Sequence, residues 1–436
     1  MTTSIRKYIV AVLVLALLGV SLNGCSQQHN ASRRADIPSV RGTWPMYQLN
    51  SSHNAVLASP QRGARWSHDV NARVNGGLAV VGGTVYLDTF GGKIIALNAA
   101  DGSMRWEATS DNIIMSTPIV AEGMVFVGTG HNGSMSDRQS SFVYATVKSG
   151  DPNPMWGRPE GDHIVALDAA TGEKRWTYKT AGEDMPSPAY TSGRLIFANG
   201  DMNAYGLRAH SGEALWQRDV GGISTMSSAT LTARAVVVGI CSGPNYRGST
   251  VALAADSGKV VWRAPYGDCD SSPTVAGSRV FVSGVDGNDT PFGHGGRGIV
   301  AALNESNGHV LWTYRAAGVG PYTKIGSNER AIAGTFADDL YYQAFPTTDE
   351  LAAFDGRSGA MRWKLRTTAP VKMSAVVANG KLYAGDTAGV LYTVDARSGK
   401  LLRTQMFDQP FATSPPVIAG RTMFVVAGTM VYALPL

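Results

Sequence analysis

Charge is scarce in this chain. Asp, Glu, Lys and Arg together make up 16% of 436 residues, against roughly 25% in an average globular protein. Apolar residues reach 44%, which together with the low charge excludes intrinsic disorder. The formal net charge is +5, Arg6 and Lys7 supply part of it, and no long basic run exists. That excludes the electrostatic footprint of a nucleic-acid binder. Cysteine is nearly absent: Cys25, Cys241 and Cys269 are the three. A disulfide-dense scaffold, a CxxC redox centre and a c-type haem attachment are therefore excluded. HExxH and P-loop motifs are also missing. Long hydrophobic runs are missing too, except for the 13 residues Tyr8–Val20, too short to span a bilayer core. Glycine, in contrast, is abundant, with 51 residues. A Gly-rich, charge-poor chain of this length points to many turns and strands rather than to helix bundles.

The N-terminus reads as an address. Arg6 and Lys7 form a positive n-region, and Tyr8–Val20 suits a signal-peptide h-region. Leu22-Asn23-Gly24-Cys25 follows and resembles a bacterial lipobox. The resemblance implies residues 1–24 as a lipoprotein signal peptide, lipidation of Cys25 and stable anchoring by several acyl chains. Ser26, rather than Asp, after the cysteine favours the outer membrane, with the body facing the periplasm. Residues 25–42 are polar and without apolar periodicity, and read as a lipidated tether. The other reading is an ordinary secretory signal with a chance cysteine.

Internal repeats decide the fold of residues 43–436. The clearest copies are IIALNAADGSMRW (94–106), IVALDAATGEKRW (164–176) and TVALAADSGKVVW (250–262). Each predicts a hairpin: an alternating apolar strand, an Asp/Asn-x-x-x-Gly turn, and a short strand ending in Trp. Two more strands precede each hairpin, and four strands make a propeller blade. The fourth strands are marked by Trp66, Trp106, Trp176, Trp216, Trp262, Trp312 and Trp363, with Arg403 at the eighth position. Trp66 has no hairpin before it, and Met430–Leu434 has no fourth strand after it. The expectation is an all-β, eight-bladed β-propeller of four-stranded antiparallel blades, its ring closed by the N-terminal strand so that no edge stays open. Recurrence at the blade period assigns the Trp series to packing between blades. The long interval from Trp106 to Trp176 predicts an insertion in blade two, at about 135–162. It either covers the channel, meets a partner, or is length variation.

The repeat V-x-A-L-D-A-x-x-G-x-x-x-W resembles the quinoprotein-type (PQQ-like) propeller family. One branch comprises periplasmic dehydrogenases that hold pyrroloquinoline quinone (PQQ) and calcium on the propeller axis. Another comprises non-enzymatic lipoproteins of the BamB type, components of outer-membrane β-barrel assembly. The lipobox, the short tether and the bare-propeller length resemble the second branch. They imply a monomeric scaffold without cofactor, docking envelope proteins such as outer-membrane assembly components through channel-mouth loops or strand addition. Adjacent cysteines, often stacked on the quinone in the first branch, are absent. Trp44-Pro45-Met46-Tyr47-Gln48-Leu49-Asn50 and Val127–Ser134 resemble the first branch. There Asp184 falls at the position of the catalytic Asp, and His131 and Asn132 fall near the calcium-ligating Asn. The alternative function is thus a PQQ- and calcium-dependent alcohol dehydrogenase, or a degenerate quinoprotein sensing a small ligand. His131 departs from the pattern, since calcium prefers oxygen ligands.

Strand direction brings these residues to one face. The end of a blade's second strand and the start of the next blade's first strand share an end of the ring. His131, Asn132 and Asp184 can converge there as a ligand site, or be ordinary polar strand ends like Asn199, Asp201, Asp286 and Asp386. Cys241 and Cys269 stand in the same relation, and form either a disulfide in an oxidising compartment or two unpaired buried thiols. Gly128-x-Gly130-x-x-Gly133 matches a dinucleotide fingerprint only by its letters, because no βαβ context surrounds it.

Overall fold

Alternating apolar segments pair into eight four-stranded sheets, one of which carries an additional fifth strand. The computed structural model describes residues 46–48, 53, 56–57, 65–130, 162–243, 247–286, 297–316 and 332–436. Cys25, His131, Asn132, the signal peptide, the tether and the blade-two insertion before Asp162 lie outside the described residues, as does the side chain of Asp286. Blade one consists of Ala79–Val81, Thr84–Asp88, Lys93–Asn98 and Met104–Thr109. Blades two to seven repeat this antiparallel order, beginning at Ile119, Ala189, Thr230, Thr274, Thr335 and Val376. Blade eight takes Val417–Ala419, Thr422–Ala427 and Met430–Pro435 from the C-terminus. Its fourth strand is Trp66–Asp69, antiparallel to Met430–Ala433. The molecule is an eight-bladed propeller closed by its N-terminal strand.

Burial falls from the axis outward. Second strands such as Met124–Thr129 are buried at every residue, since neighbouring blades cover both faces. Fourth strands such as Met104–Thr109 alternate between exposed and covered residues. Each hairpin turn follows one design. In blade two, Asp168 Oδ1 accepts from the backbone of Ala170 and Thr171, and Arg175 reaches its Oδ2 at 2.6 Å. These donors hold the Asp168 carboxyl down to about 2. Gly172 closes the turn at φ +77°, a conformation costly for any residue with a Cβ.

The tryptophans lock each blade to the next. Each packs on the turn glycine of the following blade and donates its Nε1 proton to a carbonyl of the same turn. Trp216 lies against Gly258, where an added Cβ would come within 2.5 Å of the ring, and donates to Ala255 O at 3.2 Å. Trp66 does the same with Gly102 and Ala99, and Trp363 with Gly399 and Ala396. Arg403 breaks the series for a topological reason. The third and fourth strands of blade eight come from opposite chain ends, so no hairpin turn exists there to receive a Trp. The seam between blades seven and eight is instead a groove of about 290 Å³ beside Arg403 and Leu434–Leu436.

Candidate functional site at the axial channel

Hydroxyls line the axis. Two residues before each inner strand the sequence places a small residue, and these join blade to blade. Gly77 N donates to Thr117 Oγ1 at 2.7 Å, Thr117 N to Ser187 Oγ at 2.7 Å, Ser187 N to Ser228 Oγ at 3.0 Å, and Ser228 N to Ser272 Oγ at 2.9 Å. Across these four seams the backbone donor gains a partner on the next blade, satisfying groups that no sheet ladder reaches. Two residues further toward one mouth stand Asn75, Met115, Met185, Met226, Asp270, Lys372 and Thr413, which line a narrow throat of about 60 Å³.

The floor of that throat is the chain's own N-terminal segment. Tyr47 lines the throat together with residues of all eight blades. Its hydroxyl meets Ser374 Oγ of the blade-seven segment at 3.1 Å. His53 stacks edge-on against Tyr47 with ring centroids 5.2 Å apart, and its Nδ1 lies 2.6 Å from Thr230 Oγ1 of blade four. Thr230 Oγ1 also lies 2.8 Å from Pro273 O, which ties this contact to the start of blade five. Met46 packs in the core of blades two and three beside Ile119 and Phe197. Val56–Leu57 adds a parallel strand inside blade seven, opposite Val377 and Ala378. Only the axis touches blades two, four and seven at once, so this segment occupies the channel. Burial forces His53 neutral and pulls its pKa down to about 3.

Asp184 sits beside the channel without lining it; Met185 and Ser187 line it instead. The Asp184 side chain is fully buried in the seam between blades two and three. Oδ1 accepts from Asn199 Nδ2 at 2.9 Å, and Oδ2 lies 2.5 Å from Thr180 Oγ1. Burial raises its carboxyl well above the usual range, against the opposing pull of the Thr180 hydroxyl and the Asn199 amide that donate to it. A similar brace recurs between blades six and seven. There Asp386 meets Thr368 Oγ1 at 2.6 Å and Tyr392 OH at 2.8 Å. Asn199, Asp201 and Asp386 are buried in these seams, rather than displayed at the mouth as the strand directions suggested.

Cys241 and Cys269 are joined in a disulfide across the seam of blades four and five, with Cα atoms 5.0 Å apart. The Cys269 carbonyl accepts the N–H groups of Thr225, Met226 and Ser227 at 3.2, 2.9 and 2.7 Å. The disulfide thereby holds the Met226 segment at the mouth. Asp268 lies beside the sulfurs, but both are spent in the bond and supply no thiolate to a metal. Cys241→Ser with Cys269→Ser is expected to cost roughly 3 kcal/mol in the chain-entropy model, read as a lower denaturant midpoint, with faster hydrogen exchange at 225–227.

The propeller fold agrees with what the chain matches among known proteins. The family described as outer membrane protein assembly factor BamB matches residues 53–241, 225–376 and 347–434. The chain belongs to that family. It is 25% identical over 376 residues to the tetrathionate hydrolase of Acidithiobacillus ferrooxidans, covering 83% of this chain and 72% of the relative. It is 24% identical over 376 residues to BamB of Yersinia pestis, covering 83% and 71%. Among solved structures, BamB from Moraxella catarrhalis superposes with a TM-score of 0.63 at 16% identity, over 86% of this chain and all of that one. A europium-containing methanol dehydrogenase gives 0.65 at 14% identity, over 89% and 90%. At these identities the superpositions show the shared propeller.

The described residues do not fit a quinone and its cation on the axis. Tyr47 lines an axial throat of only about 60 Å³, both oxygens of Asp184 are engaged within the seam, and the only disulfide among the described residues bridges two blades rather than adjacent cysteines. The channel filling comes from a segment without apolar periodicity, which leaves it unmarked in the sequence. The recurrent Thr117, Ser187, Ser228, Ser272 and Ser374, each two residues before an inner strand, were the readable signal for the hydroxyl ring.

Proposed function

We propose that this chain is a lipid-anchored scaffold of the bacterial envelope that docks other proteins, including components of outer-membrane assembly, and uses no cofactor. Membership of the BamB family and the lipobox at Cys25 support the location. The observation that carries the reading is the axial channel occupied by Tyr47 and His53, which leaves the rims and mouth as working surfaces. The outer strand of blade seven adds to this. It lacks the seam Trp, and Leu401, Leu402 and Met406 are exposed along it, an arrangement suited to strand addition. A photo-crosslinking residue placed at Met115 or at Leu402 in cells is expected to trap an outer-membrane assembly protein, identified by mass spectrometry. Cross-links to lipid and solvent alone at both positions would refute docking.

A second reading comes from the tetrathionate hydrolase relative, which matches over most of this chain. Loss of tetrathionate on incubation with the purified chain, abolished by boiling, would favour it over the scaffold.

A further inference from the structure

Three adjacent blades place a methionine at the same position of the axial throat. Met115, Met185 and Met226 each stand four residues before the inner strand of blades two, three and four. All three line the space of about 60 Å³. Their backbones are pinned. Ile114, beside Met115, bridges to Thr129, and Asp184 N donates to Thr129 O at 3.2 Å, so one residue ties the segments of Met115 and Met185 together. Met226 N donates to Cys269 O at 2.9 Å, next to the disulfide. Two residues along from the methionines, Thr117 N reaches Ser187 Oγ at 2.7 Å and Ser187 N reaches Ser228 Oγ at 3.0 Å. The three blades are therefore joined at hydrogen-bond distance right beside these side chains.

Size and lining decide what such a space can take. It has room for an ion with a few waters and is far below the several hundred cubic ångströms of a small-molecule site. Asp270 and Lys372 also line the throat, one carboxylate against one ammonium, so the lining carries no net formal charge. Lys372 belongs to blade seven, across the ring from Met185 of blade three. A hard divalent cation asks for several oxygen ligands, carboxylates above all. Here Asp270 is a single carboxylate, and the hydroxyls of Thr117, Ser187 and Ser228 already accept backbone protons. Zinc takes thiolate, imidazole or carboxylate, and the cysteines nearby are spent in their disulfide. Thioethers are soft, uncharged donors, and they suit Cu(I). Methionine also serves as filler in core gaps, but these three face an open throat.

We propose that Met115, Met185 and Met226 form a binding site for Cu(I) in the axial throat. Each of three blades supplies one thioether, and the ring holds the backbones that carry them before the ion arrives. The ion is a ligand of the mouth, and no reaction is assigned to it. The site goes beyond the docking function and does not depend on it.

The test is an anaerobic Cu(I) titration against the competing chelator bicinchoninate. It uses the purified full chain carrying Cys25→Ser, which removes the one cysteine outside the disulfide. One Cu(I) per chain is expected, with X-ray absorption at the copper edge showing a shell of sulfur neighbours. Met185→Leu conserves volume and apolar character and is expected to weaken binding at least about tenfold, a difference readily resolved in Kd. The triple replacement of Met115, Met185 and Met226 by Leu is expected to abolish it. Met104→Leu, at a methionine of an outer strand that is 49% exposed, serves as control and is expected to bind like the parent. Denaturant midpoints check that each variant is folded, and Met185→Leu alone decides if the triple variant is not. No uptake of Cu(I) by the parent overturns the proposal, as does equal affinity in parent and Met185→Leu. A copper edge with nitrogen and oxygen neighbours in place of sulfur also overturns it.

Discussion

Trp216→Ala is expected to destabilise the propeller by about 3–5 kcal/mol, the range for removing a buried aromatic. The indole is 8% exposed and does two things at once. Its face fills the space over Gly258, which has no side chain of its own, and its Nε1 donor satisfies Ala255 O. Gly258 holds φ +66°, so the turn cannot answer the loss with a larger residue without strain. Alanine leaves a cavity and an unmatched carbonyl in one seam. Arg403→Ala, at the same repeat position, is expected to change stability by less than about 1 kcal/mol, as exposed sites do, because no turn lies beneath it. Denaturant midpoints with m-values for the two variants check this. Equal losses would mean that the tryptophans are not the clasps between blades.

Acidification is expected to withdraw the axial segment before it unfolds the ring. His53 is neutral in place, with its pKa drawn down to about 3 from 6.5 by burial. A histidine depressed in the folded state binds fewer protons folded than unfolded between those values, so its stability contribution is complete above pH 6.5 and lost as pH falls toward 3. At roughly 1.4 kcal/mol per pH unit, the penalty at pH 5 is about 2 kcal/mol. Local release of the segment costs less than unfolding the ring. Buried Asp88 and Asp184, whose carboxyls are raised, act with the opposite sign, so the variant His53→Gln isolates the effect. Protection factors at Tyr47, Gln48, His53, Val56 and Leu57, in which the intrinsic pH dependence of amide exchange is divided out, are expected to fall from pH 8 to pH 5 in the natural chain and to hold steady in His53→Gln. A fall of the same size in both would remove His53 as its cause.

The blade count and the closing strand were legible because they rest on local chemistry repeated along the chain. A turn glycine at fixed spacing, preceded in most copies by Asp or Asn and followed in all but one by Trp, marks the hairpins, and Trp66 without a hairpin finds its partner in Met430–Ala433. Arg403 was legible as a departure, but its cause lies in where the ring opens. The axial filling was hidden. Met46–Leu57 has no periodicity, and its partners Ser374 and Thr230 lie 327 and 177 residues away. Asp184 could be placed at a strand start from sequence. Its engagement by Asn199 and Thr180 depends on how two loops meet across a seam, which no spacing reveals.

The central claim is that the axis is filled by the chain itself and serves docking rather than cofactor chemistry. Its most direct test is a calorimetric titration of the purified chain with PQQ and calcium, paired with a dye-linked alcohol oxidation assay. The prediction is no saturable binding and no turnover. Stoichiometric binding with quinone absorbance, and turnover abolished by Asp184→Asn, would contradict it.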